Sequence, residues 1–330
     1  MFIEKSVSPS LPKVSVCIMT YNQCHYIEAT VRSVLAQCGE GRDFELEILI
    51  GDDHSTDGSS EVLAALQAQY PSKVVWIRQP SNLGGHRNMR SLLQRATGNY
   101  IAHLDGDDYW LPEKLMRQLR ALEASPLSVA CYTNALVVDE ANRFVGLFTN
   151  RQAGRLTFAY LAERGNFLNF SSTLYRAQVK ELILAQNQPM IDYEIHLLMA
   201  NQADLCFLNE PLVCYRWMSA TSTLRHHFED FSILYAQALE RRLIGTSASI
   251  RSQAVSLYIL TTLMKRRDWL FHRGFWRRVG ALTTSLRLAR VGLIWPMLHI
   301  GCLGLRRCLL NALTRMLSRT ETSNVMFPRL

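Results

Sequence analysis

The chain has 330 residues, of which 48% are hydrophobic and 19% are charged. These values argue against a disordered protein and fit one large domain with an appendage, or two modest domains. The net charge of +8 is unevenly distributed: residues 241–330 hold 16 Lys and Arg against Asp268 and Glu321, a charge of +14, so residues 1–240 carry −6. Two parts with different roles are therefore expected.

Apolar runs alternate with helical patterns through the first third of the chain. The patterns predict strands at 14–19, 47–50, 74–77 and 100–104, and helices at 26–37, at 88–96 and from the capping residues 55–57 to about 70. Such alternation with short loops predicts a parallel α/β sheet, whose ligands lie at the carboxyl ends of the strands. Those ends carry Thr20 with Tyr21, Asp52 with Asp53, and an acidic string at 105–108.

The second half of the chain changes character near Thr223. Residues from about 125 to 220 alternate short apolar runs with helical patterns and are expected to complete the α/β domain. Beyond that point the sequence predicts basic, amphipathic helices rich in Trp and Leu. We therefore divide the chain into an α/β domain at 1–222 and a helical, basic region at 223–330.

The string Asp105-Gly106-Asp107-Asp108 follows the fourth predicted strand. Neighbouring carboxylates repel one another, which is costly unless a cation or strong hydrogen-bond donors are present. Hard cations such as Mg²⁺ or Mn²⁺ take oxygen ligands and share them with phosphates. The alternative is a solvated turn before a helix whose first residue is Pro112, with Asp107 or Asp108 as its cap. The string alone leaves both interpretations open.

Two further segments suit a nucleotide diphosphate. Asp53 at the end of the second strand could accept hydrogen bonds from a nucleoside. Residues 82–88 combine two glycines, Arg87 and a helix start, which together suit phosphate oxygens. Each segment also has a simpler interpretation. Residues 52–57 are typical of a helix cap, and residues 82–88 are typical of an ordinary glycine-rich loop.

From residue 14 to about 220 the chain resembles family 2 glycosyltransferases of the GT-A fold, of the bacterial surface-polysaccharide type. The matching segments are 14–22 with 26–27, 33–37, 48–58, 82–88, 98–108 and 211–216. The resemblance implies a Rossmann-like, mostly parallel mixed sheet flanked by helices, with 1–222 as the domain that binds a nucleotide sugar. It also implies that Thr20, Tyr21 and Asp53 contact the nucleoside. Asp105 and Asp107 would form the metal motif, with Asp107 as the direct ligand of Mn²⁺ or Mg²⁺.

The family's catalytic base usually lies in an acidic pair at the start of a downstream helix. Here Ile191 replaces the first acid, which leaves Asp192 as the candidate base and Glu194 as the second choice. A carboxylate within hydrogen-bond reach can remove the acceptor's proton, and an apolar neighbour raises its pKa. The alternative is an acidic first turn that complements the helix dipole. Attack opposite the diphosphate implies inversion.

The segment 215–218 resembles one near the family's donor site in which a His often follows the Arg. Trp217 and Met218 stand there instead, so no metal-binding His is carried over, and Arg216 is expected to face phosphate. The chain has no Q-x-x-R-W motif and no set of spanning helices. Both observations favour the addition of a single sugar over processive synthesis.

The basic region predicts a membrane surface as partner. Residues 265–278 interleave cations with Trp269, Phe271, Phe275 and Trp276, and arginines recur among leucines from 303 to 319. Cationic amphipathic helices of this kind bind anionic membranes. A homodimer interface is the alternative, and no nucleic-acid motif is visible. The uncharged stretch at 291–305 would reach only about 22 Å as a helix, against about 30 Å for a span.

Location and acceptor follow from these features. The eight cysteines form no CxxC pair and no signal peptide is evident, which predicts a reducing, cytoplasmic compartment. We expect an inverting, metal-dependent hexosyl- or N-acetylhexosaminyltransferase at the inner face of the cytoplasmic membrane. Its acceptor would be a lipid-linked glycan of O-antigen or capsule synthesis. A sugar nucleotidyltransferase and a non-catalytic nucleotide-sugar-binding protein are the alternatives; the loop after the first strand lacks the former's glycine-rich phosphate motif.

Overall fold

A computed structural model describes residues 11–217, 228–266, 270, 272–288, 293 and 296–299, together with the backbone of 324–327. The predicted boundary at 222 and 223, the aromatic residues Trp269 and Phe271, and the second arginine–leucine run lie outside the described residues, as does most of the stretch 291–305. No helix in the described ranges is long and apolar enough to cross a bilayer.

The strands form one mixed sheet. Their bounds are β1 Lys13–Thr20, β2 Glu45–Asp52, β3 Val74–Arg78, β4 Tyr100–Asp105, β5 Tyr109–Trp110, β6 Ala130–Val138, β7 Phe144–Thr149, β8 Arg155–Leu156, β9 Leu174–Arg176, β10 Leu205–Arg216 and β11 Asn324–Phe327. The order along the sheet is β11-β7-β6-β9-β4-β1-β2-β3, and β10 pairs with β5, β6 and β8.

The first four strands are parallel, as their alternation with helices predicts. β1 pairs with β2 and with β4, and β2 pairs with β3. The register sets Thr20 beside Asp52 and Met19 beside Asp105. The polar residues at the carboxyl ends of β1, β2 and β4 therefore lie side by side at one end of the strands. This is where ligands bind in parallel α/β sheets.

Helices cover the sheet and continue beyond it. Their bounds are α1 Ile27–Leu35, α2 Ser59–Gln69, α3 Gly85–Leu93, α4 Lys114–Ala124, α5 Phe158–Arg164, α6 Gln178–Leu184, α7 Asp192–Ala200, α8 Phe228–Leu243, α9 Ala248–Lys265 and α10 Arg273–Ser285. A short 3-10 turn spans Phe170–Ser172. The helical character predicted beyond 223 is confirmed for α8, α9 and α10.

Two helix starts differ from the prediction. Helix α3 begins at Gly85 instead of residue 88, because the Asn88 N–H already donates to the Gly84 carbonyl at 3.0 Å. Helix α4 begins at Lys114 and β5 lies between it and the acidic string. The alternative interpretation, in which Asp107 or Asp108 caps a helix that begins at Pro112, is therefore wrong. Asp108 is drawn into the interior instead.

The helices of the basic region belong to the main hydrophobic core. Leu239 of α8, Tyr258 of α9 and Phe275 of α10 are almost fully buried, in the same cluster as Tyr132 of the sheet and Tyr193 of α7. Phe275 was predicted among the membrane-facing aromatic residues and is fully buried, so that prediction is wrong for this residue. Neighbouring Trp276 is 39% exposed.

Candidate functional site

The loops after β1 and β2 are joined by hydrogen bonds. The Asn22 N–H donates to Ser55 Oγ at 3.0 Å, and Asn22 Oδ1 accepts from the Thr56 N–H at 2.9 Å. The Cys24 N–H donates to Asp57 Oδ2 at 2.9 Å. These bonds hold the end of β1 against the loop after β2, so the predicted nucleoside contacts are brought together, with the Tyr21 ring partly exposed.

Asp53 connects the loop after β2 to the glycine-rich loop. Its Oδ1 accepts from the Leu83 N–H at 2.7 Å and its Oδ2 from the Gly84 N–H at 2.9 Å, and the side chain is buried. Each carboxylate oxygen has a further acceptor position beyond these two hydrogen bonds. Arg87 lies exposed in the first turn of α3, directly after this loop.

Gly106 lets the acidic string pass close to the end of β1. A Cβ at Gly106 would lie 2.8 Å from Thr20 Cβ and Oγ1, closer than real Cβ contacts allow. The Gly106 N–H donates to the Met19 carbonyl at 2.8 Å, and Thr30 Oγ1 lies 2.7 Å from the Asp108 carbonyl oxygen. Only glycine fits this close approach, which holds Asp105 and Asp107 at the strand ends.

Asp108 braces the site from inside the protein. Its Oδ2 accepts from Ser171 Oγ at 2.6 Å and its Oδ1 accepts from the Arg216 backbone N–H at 2.9 Å. Burial, followed by repulsion from Asp107 and Asp105, raises its pKa well above the usual range. Asp108 therefore ties the acidic string to the end of β10 and to the 3-10 turn.

Asp105 lies within electrostatic reach of both Asp107 and Asp192, and these three residues are called the carboxylate cluster. Burial, followed by repulsion from Asp107 and then from Asp192, raises the pKa of Asp105 to about 7. The Asp105 N–H donates to Ser171 Oγ at 3.1 Å. The fold thus brings the first residue of α7 close to the string after β4, although the two are distant in sequence.

Arg216 supports the acidic string from the protein side. Its guanidinium is buried and donates to the carbonyls of Asp107 at 3.0 Å and Asp139 at 2.9 Å and to Asn142 Oδ1 at 2.8 Å. It also lies 4.3 Å from the centre of the Tyr26 ring. These contacts position the string, and the expectation that Arg216 faces phosphate stays a prediction.

The two acids of α7 differ sharply in their surroundings. Asp192 is half-buried, and burial raises its pKa, an effect that interaction with the Asn166 side chain partly offsets. Glu194 is fully buried and forms ion pairs with Arg241 and Arg242. The structure therefore leaves Asp192 at the carboxylate cluster and engages Glu194 elsewhere.

Sequence patterns missed several residues that shape the site. Asn166, Ser171 and Thr30 belong to no motif, and each acts on a carboxylate or carbonyl far away in the chain. The repeated small residues at 171–173 are the one local signal, and such runs are common in loops.

A divalent cation fits the cluster only if it shares ligands with a substrate. Across the ranges that the structure describes, no group of three His, Cys, Asp or Glu side chains could hold a metal ion by themselves. Mg²⁺ is commonly held by one or two carboxylates together with substrate phosphates. The repulsion that raises the pKa of Asp105 shows closely spaced negative charge that a cation would offset. Asp105 and Asp107 therefore suit a metal bound together with a diphosphate.

The relatives of this chain include several named glycosyltransferases. A protein of Mycobacterium tuberculosis (strain H37Rv) without a named activity is 31% identical over 241 residues, 70% of this chain and 68% of the relative. The Escherichia coli UDP-Glc:alpha-D-GlcNAc-diphosphoundecaprenol beta-1,3-glucosyltransferase WfaP is 27% identical over 255 residues, 76% of this chain and 94% of that protein. The Bacillus subtilis putative teichuronic acid biosynthesis glycosyltransferase TuaG is 40% identical over 109 residues, 33% of this chain and 41% of that protein.

The fold has solved counterparts. Residues 1–349 of S. aureus TarS, in a crystal structure with UDP-GlcNAc, match with a TM-score of 0.65 at 15% identity, over 83% of this chain and 81% of that one. This likeness confirms the predicted GT-A fold, a mixed sheet flanked by helices. The sequence profile described as Glycosyl transferase family 2 matches residues 15–182, from β1 through α6. The chain is therefore a glycosyltransferase that belongs to glycosyl transferase family 2.

Proposed function

We propose that this glycosyltransferase moves one sugar from a nucleotide-sugar donor to a hydroxyl acceptor, with inversion and with a divalent metal. The observation that carries the proposal is the carboxylate cluster: Asp105 ends strand β4, and Asp107 and Asp192 both lie within electrostatic reach of it. Asp105 and Asp107 suit a diphosphate and its metal, and Asp192 supplies a base.

The donor lies along the strand ends. Thr20, Tyr21 and Asp53 contact the nucleoside, and Arg87 approaches the diphosphate from the start of α3, where backbone N–H groups also favour anions. Asp107 holds Mn²⁺ or Mg²⁺ directly and Asp105 supports it. Such a metal offsets the charge that develops on the departing nucleoside diphosphate.

Asp192 takes the proton from the acceptor hydroxyl. Burial raises its pKa, which makes its carboxylate a stronger proton acceptor. The Asn166 side chain orients it from the neighbouring loop. A base placed opposite the diphosphate directs the acceptor oxygen to the far face of the anomeric carbon, and this geometry inverts the configuration there.

The acceptor in this proposal is a lipid-linked saccharide at the inner face of the cytoplasmic membrane. The E. coli relative is named for transfer to a diphosphoundecaprenol-linked sugar. In this chain Met264, Leu270 and Trp276 are exposed, and Arg273 and Arg277 lie exposed on α10 beside Trp276. Exposed apolar side chains among arginines suit an anionic membrane surface. A homodimer interface is the alternative occupant of this face.

The metal and donor roles are tested together. The full chain is assayed with a panel of UDP-, GDP- and TDP-hexoses and N-acetylhexosamines, with EDTA and then with excess Mn²⁺ or Mg²⁺. We expect activity to vanish in EDTA and to return with the metal. Asp107→Ala should abolish transfer and weaken nucleoside diphosphate binding, because it removes the metal ligand, whereas exposed Glu123→Ala loses the same charge and should behave as wild type. Full activity in chelator would rule out the metal.

The base is tested by isosteric amides. Asp192→Asn should keep donor binding and lose transfer by about 10²-fold or more, the usual scale for a general base. Wild-type activity should rise with pH through the raised pKa of Asp192, because the deprotonated carboxylate is the active form. An active Asp192→Asn beside an inactive Glu194→Gln would assign the base to Glu194.

A further inference from the structure

Glu194 is a fully buried carboxylate on α7, two residues after the proposed base. Removing an ionised carboxylate from water costs several kcal/mol, so it is stable only with charged partners and good hydrogen bonds. Its neighbours on α7, Ile195 and Leu198, pack into the apolar core. The carboxylate therefore depends on what the facing helix supplies.

Helix α8 supplies two arginines from its last turn. Arg241 donates from Nε to Glu194 Oε1 at 2.8 Å and from Nη2 to Oε2 at 2.6 Å, a two-pronged pair. Arg242 donates from Nε to Glu194 Oε1 at 3.1 Å. Cations at this position also suit the carboxyl end of α8. Glu194 is thus held through both of its oxygens.

Arg242 binds residues that lie before and after Asp192 in the sequence. From Nη2 it donates to Gln186 Oε1 at 2.8 Å, and from Nε to Glu194. Gln186 lies in the segment that leads into α7, and Glu194 lies in the first turn of α7, with Asp192 between them. One side chain of α8 therefore binds a side chain before and a side chain after the proposed base.

We propose that Glu194, Arg241 and Arg242 form a positioning cluster that holds the first turn of α7, so that the Asp192 carboxylate stays aligned with the acceptor hydroxyl. The inference rests on the proposed role of Asp192. Glu194 is then a positioning residue that acts through Asp192, and the basic region contributes to the chemistry by placing the base.

Kinetics on the full chain separate positioning from binding. Glu194→Gln keeps the shape of the side chain but removes the charge that orients both guanidinium groups. We expect its kcat to fall about tenfold, the scale of a small misplacement of a reacting group, with the donor KM unchanged within about twofold. Arg241→Met should give a similar loss, and Arg241→Lys should recover part of it because the charge returns without the two-pronged geometry. Exposed Glu240→Gln on the same helix is the matched control and should leave both constants unchanged.

A double substitution tests whether the cluster acts through Asp192. In the Asp192→Asn background, Glu194→Gln should cause no further loss of kcat, because the variant has no base at position 192 whose alignment Glu194 could affect. A further tenfold loss of kcat in the double variant would overturn this inference and leave the proposed base intact. For Glu194→Gln alone, a raised donor KM at constant kcat would also overturn it. So would a loss of activity that matches the unfolded fraction in a thermal melt. An active Asp192→Asn would instead overturn the proposed base, and this inference with it.

Discussion

At the scale of single residues, one chemical group takes several roles in this protein because its surroundings differ. Asp108 accepts hydrogen bonds from Ser171 and from the Arg216 backbone and has a structural role. Glu194 forms ion pairs with two arginines of the facing helix. Asp105 and Asp192 are carboxylates whose pKa values are raised first by burial, and Asp105 is also repelled by Asp107 and Asp192. Only carboxylates of the last kind retain capacity for a cation or a proton from a substrate.

Two buried histidines predict how stability responds to acid. His103 of β4 and His196 of α7 lie 4.5 Å and 6.1 Å from the Phe170 ring, and burial lowers the pKa of each to about 3. Between the usual value of 6.5 and about 3, the unfolded chain binds protons that the folded chain does not. The free energy of unfolding should therefore fall as the pH drops through this window.

His196→Leu isolates this contribution. Neither ring nitrogen of His196 has a hydrogen-bond partner among the residues described, so leucine breaks no such bond there. Urea melts between pH 6.5 and 4.5 should show a smaller loss of unfolding free energy than wild type, and exposed His25→Leu serves as the control. A slope equal to wild type would show that His196 is not held neutral by burial.

The roles of the acids could be predicted only in part from the sequence. Asp105 and Asp107 belong to a contiguous motif at the end of an apolar run, so their place at the site was predictable. The role of Asp108 was left open between a metal site and a helix cap, because its partners Ser171 and Arg216 lie 63 and 108 positions away. The arginines of Glu194 lie 47 and 48 positions away, and no local pattern connects them.

At the scale of elements, long periodic segments were predictable and short ones were not. Strands β1 to β4 are apolar runs between helices, and all four were predicted. Strands β5 and β9 have two and three residues, and they exist because β10, β4 and β6 offer partners. Such strands are created by tertiary pairing, which local sequence does not encode.

Removal of α10 should unfold the protein. A chain cut at about residue 262 lacks α10 together with the end of α9. Phe275, Val279 and Leu282 of α10 are buried in the main hydrophobic core. Each buried side chain of this size contributes roughly 1.5–3 kcal/mol, against a total stability of about 5–15 kcal/mol.

We therefore expect the truncated chain to be insoluble or to melt well below the full chain, with loss of transfer to every acceptor. Phe275→Ala alone should lower the free energy of unfolding by about 3–5 kcal/mol in denaturant melts. A truncated protein with an unchanged melting temperature and unchanged transfer would show that α10 is dispensable for the core.

At the scale of the whole molecule, the basic region has two faces. One face of α10 packs into the core, and the other exposes Arg273, Trp276 and Arg277. The charge division predicted from the sequence thus does not correspond to a separately packed tail in the described ranges. The packing of α8 to α10 could not be predicted, because leucine-rich helices suit a core and a membrane surface equally well.

Membrane binding is tested by substitutions on the exposed face, which spare the core. The full chain should pellet with vesicles that contain anionic lipid, and high salt should release part of it because salt screens charge. Arg273→Gln with Arg277→Gln should reduce the salt-sensitive part, and Trp276→Ser the salt-resistant part. Exposed Arg95→Gln, outside the basic region, is the control. If these three substitutions leave vesicle binding unchanged, the exposed face of α10 does not bind the membrane. A dimer interface on that face is then favoured, and light scattering tests it.

The pairing of β11 with β7 has a consequence for how the chain is made. Val325 pairs with Leu147, a separation of about 180 residues, and β11 covers an edge of the sheet. On the ribosome, β7 therefore emerges long before its neighbour and presents unpaired N–H and C=O groups to other nascent chains. Pairings between such distant segments also form slowly. This edge should therefore contribute to aggregation during synthesis, and slower expression or chaperones should reduce that contribution.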